Sequence, residues 1–149
     1  MPRGGLTCPQ MKRAEALRPL SREHLTALTV AKTLREADEI RKATAAFLRF
    51  WREDGQHHFR VEEEVLLPTW AVHGEVDRAG VMRMLEEHLA IRRQALRLEA
   101  GELSLDEVRE LGMLLHDHVR FEERRLFPAA EEALDDESLA RLATAIETA

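Results

Sequence analysis

Two eleven-residue stretches of this chain carry nearly the same chemistry. Residues 58–68 read HFRVEEEVLLP and residues 118–128 read HVRFEERRLFP, so that His58 matches His118, Glu62 matches Glu122 and Glu63 matches Glu123. Arg60 and Arg120, Leu66 and Leu126, and Pro68 and Pro128 also correspond. A shorter match precedes each copy, Glu23-His24-Leu25 before the first and Glu87-His88-Leu89 before the second. The order is an isolated histidine followed by His-x-x-x-Glu, given twice. Residues four apart on a helix lie one above the other, so His58 and Glu62 can address one atom, and so can His118 and Glu122. Four imidazoles and two carboxylates at these spacings suit a two-metal site inside a helical bundle.

The other polar residues divide by their angle around the helix, at roughly 100° per residue. His116 points well away from His118 and is expected in solvent, while His73 falls in a predicted loop. His57 lies one step from His58 and competes with it for a metal, but only His58 makes the four-residue step to Glu62. Glu63 and Glu123 are expected at the surface or as outer partners of the ligands. Arg60 and Arg120 are expected in solvated ion pairs. An unpaired carboxylate on an apolar stripe costs several kcal/mol. Coordination to a cation compensates that cost; so does burial in a protonated or hydrogen-bonded state.

Helices must deliver these groups. Ala, Leu, Glu and Arg dominate, Tyr is absent, and β-branched residues are sparse, which favours helix nearly throughout. The first helix is expected to start after Ser21 as cap, with Leu20 stapled to Leu25 and an inner stripe of His24, Ala27 or Leu28, Ala31 and Leu34. The second runs from about Asp38 towards Pro68 with Ile40, Thr44, Phe47, Trp51, His58, Glu62 and Val65 near one line, and Gly55 marks a kink within it. Residues 71–75 read as a loop. The third covers about Asp77–Glu99, with Gly101 as terminator. The fourth begins in a Ser104/Glu107 capping box, carries Val108, Leu111, Leu115, His118 and Glu122, and ends or bends at Pro128. A short tail helix from about Asp136 turns Leu139, Leu142 and Ile146 to one side. Phe47, Phe50 and Trp51 read as core that also walls the site.

The 149 residues suit one domain of 19–149 behind a flexible arm of 1–18. A net charge of −6 without a basic face argues against nucleic acid. No run approaches the ~20 apolar residues of a membrane helix, and the amino-terminal stretch has no continuous apolar core, so the expected location is the cytoplasm. Cys8 is the single cysteine and excludes an intramolecular disulfide.

The paired motifs, with His24 and His88 in the isolated positions, resemble the hemerythrin-like, or HHE, cation-binding family. The resemblance covers roughly residues 20–130. It implies an all-α, antiparallel up-down four-helix bundle holding a non-haem di-iron centre. His24, His58, His88 and His118 would be terminal ligands, and Glu62 and Glu122 would bridge the metals. Oxygen-carrying members have a further histidine one turn from the third-helix ligand. Met84 and Arg92 stand at those positions here, so the set looks more like the sensor and stress-response members. Two iron ions so held keep room for water, hydroxide, an oxo bridge or a diatomic gas. The expected function is binding of, or response to, dioxygen, nitric oxide or redox and iron state. The rival readings are a peroxidase-like or oxidase activity on the same centre, or a helical interaction module that is metal-free or zinc-loaded. Manganese suits the same donors.

Overall fold

The structure, a computed structural model, describes residues 12–149. Cys8 and residues 1–11 of the expected arm lie outside the described residues. Five helical runs follow one another: α1 (Arg18–Arg35), α2 (40–73), α3 (Arg78–Glu99), α4 (105–133) and α5 (Asp136–Glu147). Among the described residues there is no strand. The chain turns between α1 and α4 by short connections, and the contacts give the directions. His24 meets Glu123 while Arg109, earlier on α4, reaches the carbonyl of Ala37 beyond the end of α1. Glu63 meets His88 while Arg52 meets Glu99, and Asp77 meets Arg125 while Arg97 meets Glu107. Neighbouring helices are therefore antiparallel, as expected.

Local chemistry sets most of the helix ends. Asp77 accepts from the Gly80 N–H at the start of α3, and Asp135 from the Ser138 N–H at the start of α5. The Ser104 and Glu107 side chains each bond the other's backbone N–H at the start of α4, the expected capping box. Gly101 follows α3 with φ 73°, a left-handed conformation that glycine adopts without steric cost. There the Glu102 N–H reaches the Arg97 carbonyl and the Gly101 N–H that of Leu98, which closes the helix.

The beginning of α1 corrects the sequence reading. The helix starts at Arg18 with Pro19 inside its first turn, where a missing N–H costs nothing. A turn of 3-10 helix, Glu15–Leu17, precedes it, and Ala16 and Leu17 are buried. The ordered packing thus begins before the expected boundary at residue 19. Ser21 caps nothing and its hydroxyl instead bonds Glu123. The expected staple is also absent, because Leu20 is buried and Leu25 is 66% exposed.

The expected ends at Pro68 and Pro128 are likewise overturned. Helix α2 continues to His73 and α4 to Ala133. Each passes its proline through a wide turn, Glu62–Leu66 or Glu122–Leu126. In these turns Leu67 N–H bonds the Glu62 carbonyl, and Phe127 N–H that of Glu122, five residues back instead of four. The prolines follow directly, in the first turn of the next α-helical segment, where a ring without N–H is tolerated. The wide turn also keeps a four-residue step on one face. His58, Glu62, Leu66 and Trp70 are all buried, as are His118, Glu122, Leu126 and Ala130. In an uninterrupted α-helix such a series drifts by roughly 40° at each step. The predicted line on α2 is also corrected: Ile40 is 40% exposed and Val65 only partly buried, while Ala43, Phe50 and Leu66 face inward.

A third wide turn, Trp51–Gly55, ends at Gly55, where the sequence placed a kink. A Cβ on Gly55 would lie 2.7 Å from Trp51 Cε3 and 3.1 Å from Phe50 Cε1, so glycine lets both rings fold against the backbone.

The core has two apolar blocks. One gathers Ala31, Leu34, Phe47, Trp51, Ile91, Leu111 and Leu115. The other gathers Leu17, Leu66, Trp70, Met84, Leu126, Phe127 and Leu142. Helix α5 covers the end of the second block with Leu142 and Ile146, as expected of the tail helix. Full burial of a leucine, methionine or phenylalanine contributes roughly 1.5–3 kcal/mol. Between the blocks lies a layer of buried polar side chains.

Candidate metal centre

All six residues singled out by the repeat lie in that layer. His24, His58, Glu62, His88, His118 and Glu122 are each at most 6% exposed. Their donor atoms form two overlapping groups, His24, His58, Glu62 and Glu122, and Glu62, His88, His118 and Glu122, with the atoms of each group within 4.8 Å of one another. Both carboxylates belong to both groups. The other imidazoles stand apart: His57 and His73 are exposed, and half-buried His116 faces Asp117 at 3.1 Å. His58 rather than His57 therefore enters the layer. Arg60 and Arg120 are exposed, as expected.

The distances suit a shared cation. His58 Nε2 lies 2.8 Å from Glu62 Oε1, and His118 Nε2 lies 2.9 Å from Glu122 Oε1. Across the bundle His24 Nε2 is 2.9 Å from Glu122 Oε2, and His88 Nε2 is 3.1 Å from Glu62 Oε2. These contacts are short, yet both oxygens of Glu62, Glu122 Oε2 and His118 Nε2 have no hydrogen-bond partner. His24 and His58 even bring their Nε2 atoms to 3.0 Å. Ligand atoms ~2.1 Å from one ion, the distance zinc makes to imidazole, stand ~3 Å apart when they bond at right angles. The donor set therefore fits a cation, which would satisfy every one of these orphaned atoms.

Each imidazole turns its other nitrogen, Nδ1, to a second carboxylate. His58 meets Glu23 at 2.5 Å and His118 meets Glu87 at 3.3 Å. His24 meets Glu123 at 2.6 Å and His88 meets Glu63 at 2.7 Å. Such partners fix ring orientation and raise ligand basicity. They are anchored in turn: Arg92 forks onto both oxygens of Glu63, while Ser21 and Arg13 both donate to Glu123. Glu63 and Glu123 fill the outer role expected of them. The roles of Glu23 and Glu87 were missed, although their signal was the repeated Glu-His-Leu match. Arg92 occupies one position where a further histidine would stand, and its fork is committed to Glu63.

Among these side chains alone, charge is favoured on every member. Burial lowers the His58 imidazole, but Glu62 and Glu23 outweigh it and lift it to about 9. Burial of His88 is outweighed by Glu122, Glu62 and Glu63, which lift it to about 11. His24 and His118 are raised in the same way against burial. Burial and the neighbouring Glu122 push Glu62 up, yet His58 and His24 hold it down at about 2. Glu122 is held well below the usual carboxylate range, since His118, His24 and His88 overcome its burial. Burial is likewise outweighed at Glu63 by His88 and Arg92, and at Glu123 by His24 and Ser21, leaving each at about 2. The acids are ready-made anions, whereas an imidazole must release a proton before it ligates.

The walls differ between the two groups. Phe59 stacks on His88 with ring centroids 3.7 Å apart and planes 4° from parallel. Its counterpart in the repeat is Val119, and His24 stacks instead on Phe127, with ring centroids 5.2 Å apart and planes 15° from parallel. A cavity of about 10 Å³, bounded by His24, His58, His118, Gly55, Phe59 and Val119 among others, adjoins the site. That is room for about one water-sized molecule.

An antiparallel helical bundle with paired buried His/Glu groups defines a cation-binding bundle protein. The sequence profile of the hemerythrin HHE cation-binding domain matches residues 15–130, and the chain belongs to that family. The matched span contains all six converging donors and their four outer carboxylates. No curated relative and no solved structure matches the chain. Among the described residues, no helix is long and apolar enough to cross a membrane.

Proposed function

We propose that the chain holds two iron ions and uses them to bind or respond to dioxygen, nitric oxide or redox state. The observation that carries this reading is the sharing of Glu62 and Glu122 by two donor groups, with three of their four oxygens left without a hydrogen bond. His24 and His58 would hold one ion, His88 and His118 the other, and the two glutamates would span both. Bound iron supplies exchangeable electrons and open coordination positions for a small ligand.

The chain's own residues do the remainder. Glu62 and Glu122 offset the charge of the pair. Glu23, Glu63, Glu87 and Glu123 hold the imidazole rings in line through Nδ1. Phe59, stacked on His88, covers that imidazole, and the cavity that Phe59 and Val119 line beside His24, His58 and His118 leaves room there for a water-sized molecule. Phe50, Leu115 and Ala27 line this cavity and keep it largely apolar.

The test is anaerobic loading of chelator-treated protein with ferrous salt, followed by air or nitric oxide. Uptake of iron and a new visible absorption on exposure to either gas are expected. Retained iron with no optical change under either gas would contradict the ligand-binding reading. A chain that refuses ferrous iron but fills with zinc would contradict the choice of metal.

A further inference from the structure

Helix α3 is apolar on two sides. Its inner side carries Met84, Ile91 and Leu98 into the core. Its outer side carries Met82, Leu85, Leu89 and Leu96, which are 60%, 42%, 69% and 69% exposed. At roughly 100° per residue these four fall within a sector of about 60°, opposite the core. The remaining exposed large apolar residues are dispersed: Leu25 on α1, Ile40 and Val72 on α2, and Met113 on α4. Single exposed apolar residues need no explanation, whereas a line of four along one helix does.

The charged residues beside the line indicate what covers it. Met82 and Leu96 stand seven residues either side of Leu89, so these three are symmetric about Leu89, while Leu85 has Arg93 at its matching position. Glu86 and Arg93 flank the line on the same edge, at nearly equal distances before and after Leu89. Both are exposed, and neither has an ion-pair partner among the described residues. A two-fold axis through Leu89 lays two copies of α3 antiparallel. Met82 then meets the partner's Leu96, and Leu89 meets the partner's Leu89. Glu86 falls within ~1.5 Å, along the axis, of the level of the partner's Arg93. The symmetry makes each of these contacts twice, as an isologous interface requires.

We infer that two copies of this chain associate through the outer face of α3, with the Leu89 line at the centre and paired Glu86–Arg93 bridges at its edge. The line from Met82 to Leu96 is only ~21 Å long. That is less than an interface of about 800 Å² per partner calls for, so the dimer is of the weak, reversible kind.

The experiment is sedimentation equilibrium of the full chain across concentrations from about micromolar to about millimolar, the range proper to a small interface. A reversible monomer–dimer equilibrium is expected. Leu89→Glu places two acids on the axis and should leave a monomer. Glu86→Arg and Arg93→Glu alone should each weaken association more than about tenfold, since each creates two like-charge contacts. The double reversal Glu86→Arg/Arg93→Glu should restore it. All four variants change exposed residues, and far-ultraviolet circular dichroism checks that they fold. A parent that stays monomeric throughout would overturn the inference. So would a dimer unmoved by Leu89→Glu, or a double reversal no tighter than the single ones.

Discussion

The two halves of the bundle present the same ligands and different surroundings. Glu23, His24, His58, Glu62 and Glu63 are repeated as Glu87, His88, His118, Glu122 and Glu123. Two of the four supports cross between halves, Glu123 of the second holding His24 of the first and Glu63 of the first holding His88 of the second, while Glu23 and Glu87 hold His58 and His118 of their own halves. Neither half is a site alone. The differences lie in the walls and anchors. Phe59 lies flat on His88 at 3.7 Å, whereas His24 meets Phe127 at 5.2 Å, and Val119 and Phe59 both line a cavity beside His24. Arg92 clamps Glu63 from within α3, whereas Glu123 depends on Ser21 and on Arg13 ahead of α1.

The comparison is broken most strongly through the crossed supports. Loss of an outer partner typically costs 10–100-fold in metal affinity. Glu123→Gln should therefore weaken the metal step that depends on His24 by about 10–100-fold, and Glu63→Gln the step that depends on His88. Stepwise metal titration of each variant, followed by imidazole resonances, reads this out. A variant that loosens the histidine of its own half instead would refute the crossing.

The walls come next. Phe59→Val should cost about 1–3 kcal/mol of unfolding stability, because the flat contact on His88 leaves a void. It should also open the second side to small ligands. Val119→Phe adds more volume than a cavity of about 10 Å³ can take, so it should destabilise by about 1–3 kcal/mol and slow the optical response to gas. Denaturant unfolding and stopped-flow mixing measure the two effects. Equal gas rates in the parent and Val119→Phe would remove the cavity from the account.

Acidity separates the halves less sharply. His58 and His88 are raised to about 9 and about 11, from ~6.5 in an unfolded chain. Their contribution to the metal-free fold is complete below that value and is lost as pH rises through the folded values, His58 first. Glu62, Glu63 and Glu123 are lowered to about 2, so their contribution is complete above ~4.3 and is lost as pH falls towards 2. With chelator present, the melting temperature should decline from pH ~6.5 to 9, and again below ~4. A flat profile over both ranges would show that the cluster is not charged as described. The smallest expected effect is none: His73→Ala and His116→Ala should leave metal content unchanged, and loss in either would show that the wrong imidazoles were chosen.

How much of this was legible depended on whether a contact is local. The pairs His58 with Glu62 and His118 with Glu122 are four residues apart on one helix, so geometry along the chain suffices. The capping box at Ser104 and the left-handed Gly101 are equally local, and both were readable. Glu23 and Glu87 act across helices on His58 and His118; the repeated Glu-His-Leu match marks them, but no spacing along the chain says which histidine each one meets. Ser21 misled because a good capping residue was spent on Glu123 instead. Pro68 and Pro128 misled because the wide turns before them absorb the missing N–H. The four-residue steps from His58 to Trp70 and from His118 to Ala130 held that information.

The central claim is that Glu62 and Glu122 are joined by a pair of cations. Elemental analysis of the protein purified without chelator, set beside Glu62→Ala and Glu122→Ala, tests it most directly. The parent should carry about two metal ions per chain, as a doubly shared bridge requires, and each variant should lose occupancy while staying helical. Metal content unchanged in both folded variants, or a parent with none, would contradict the account.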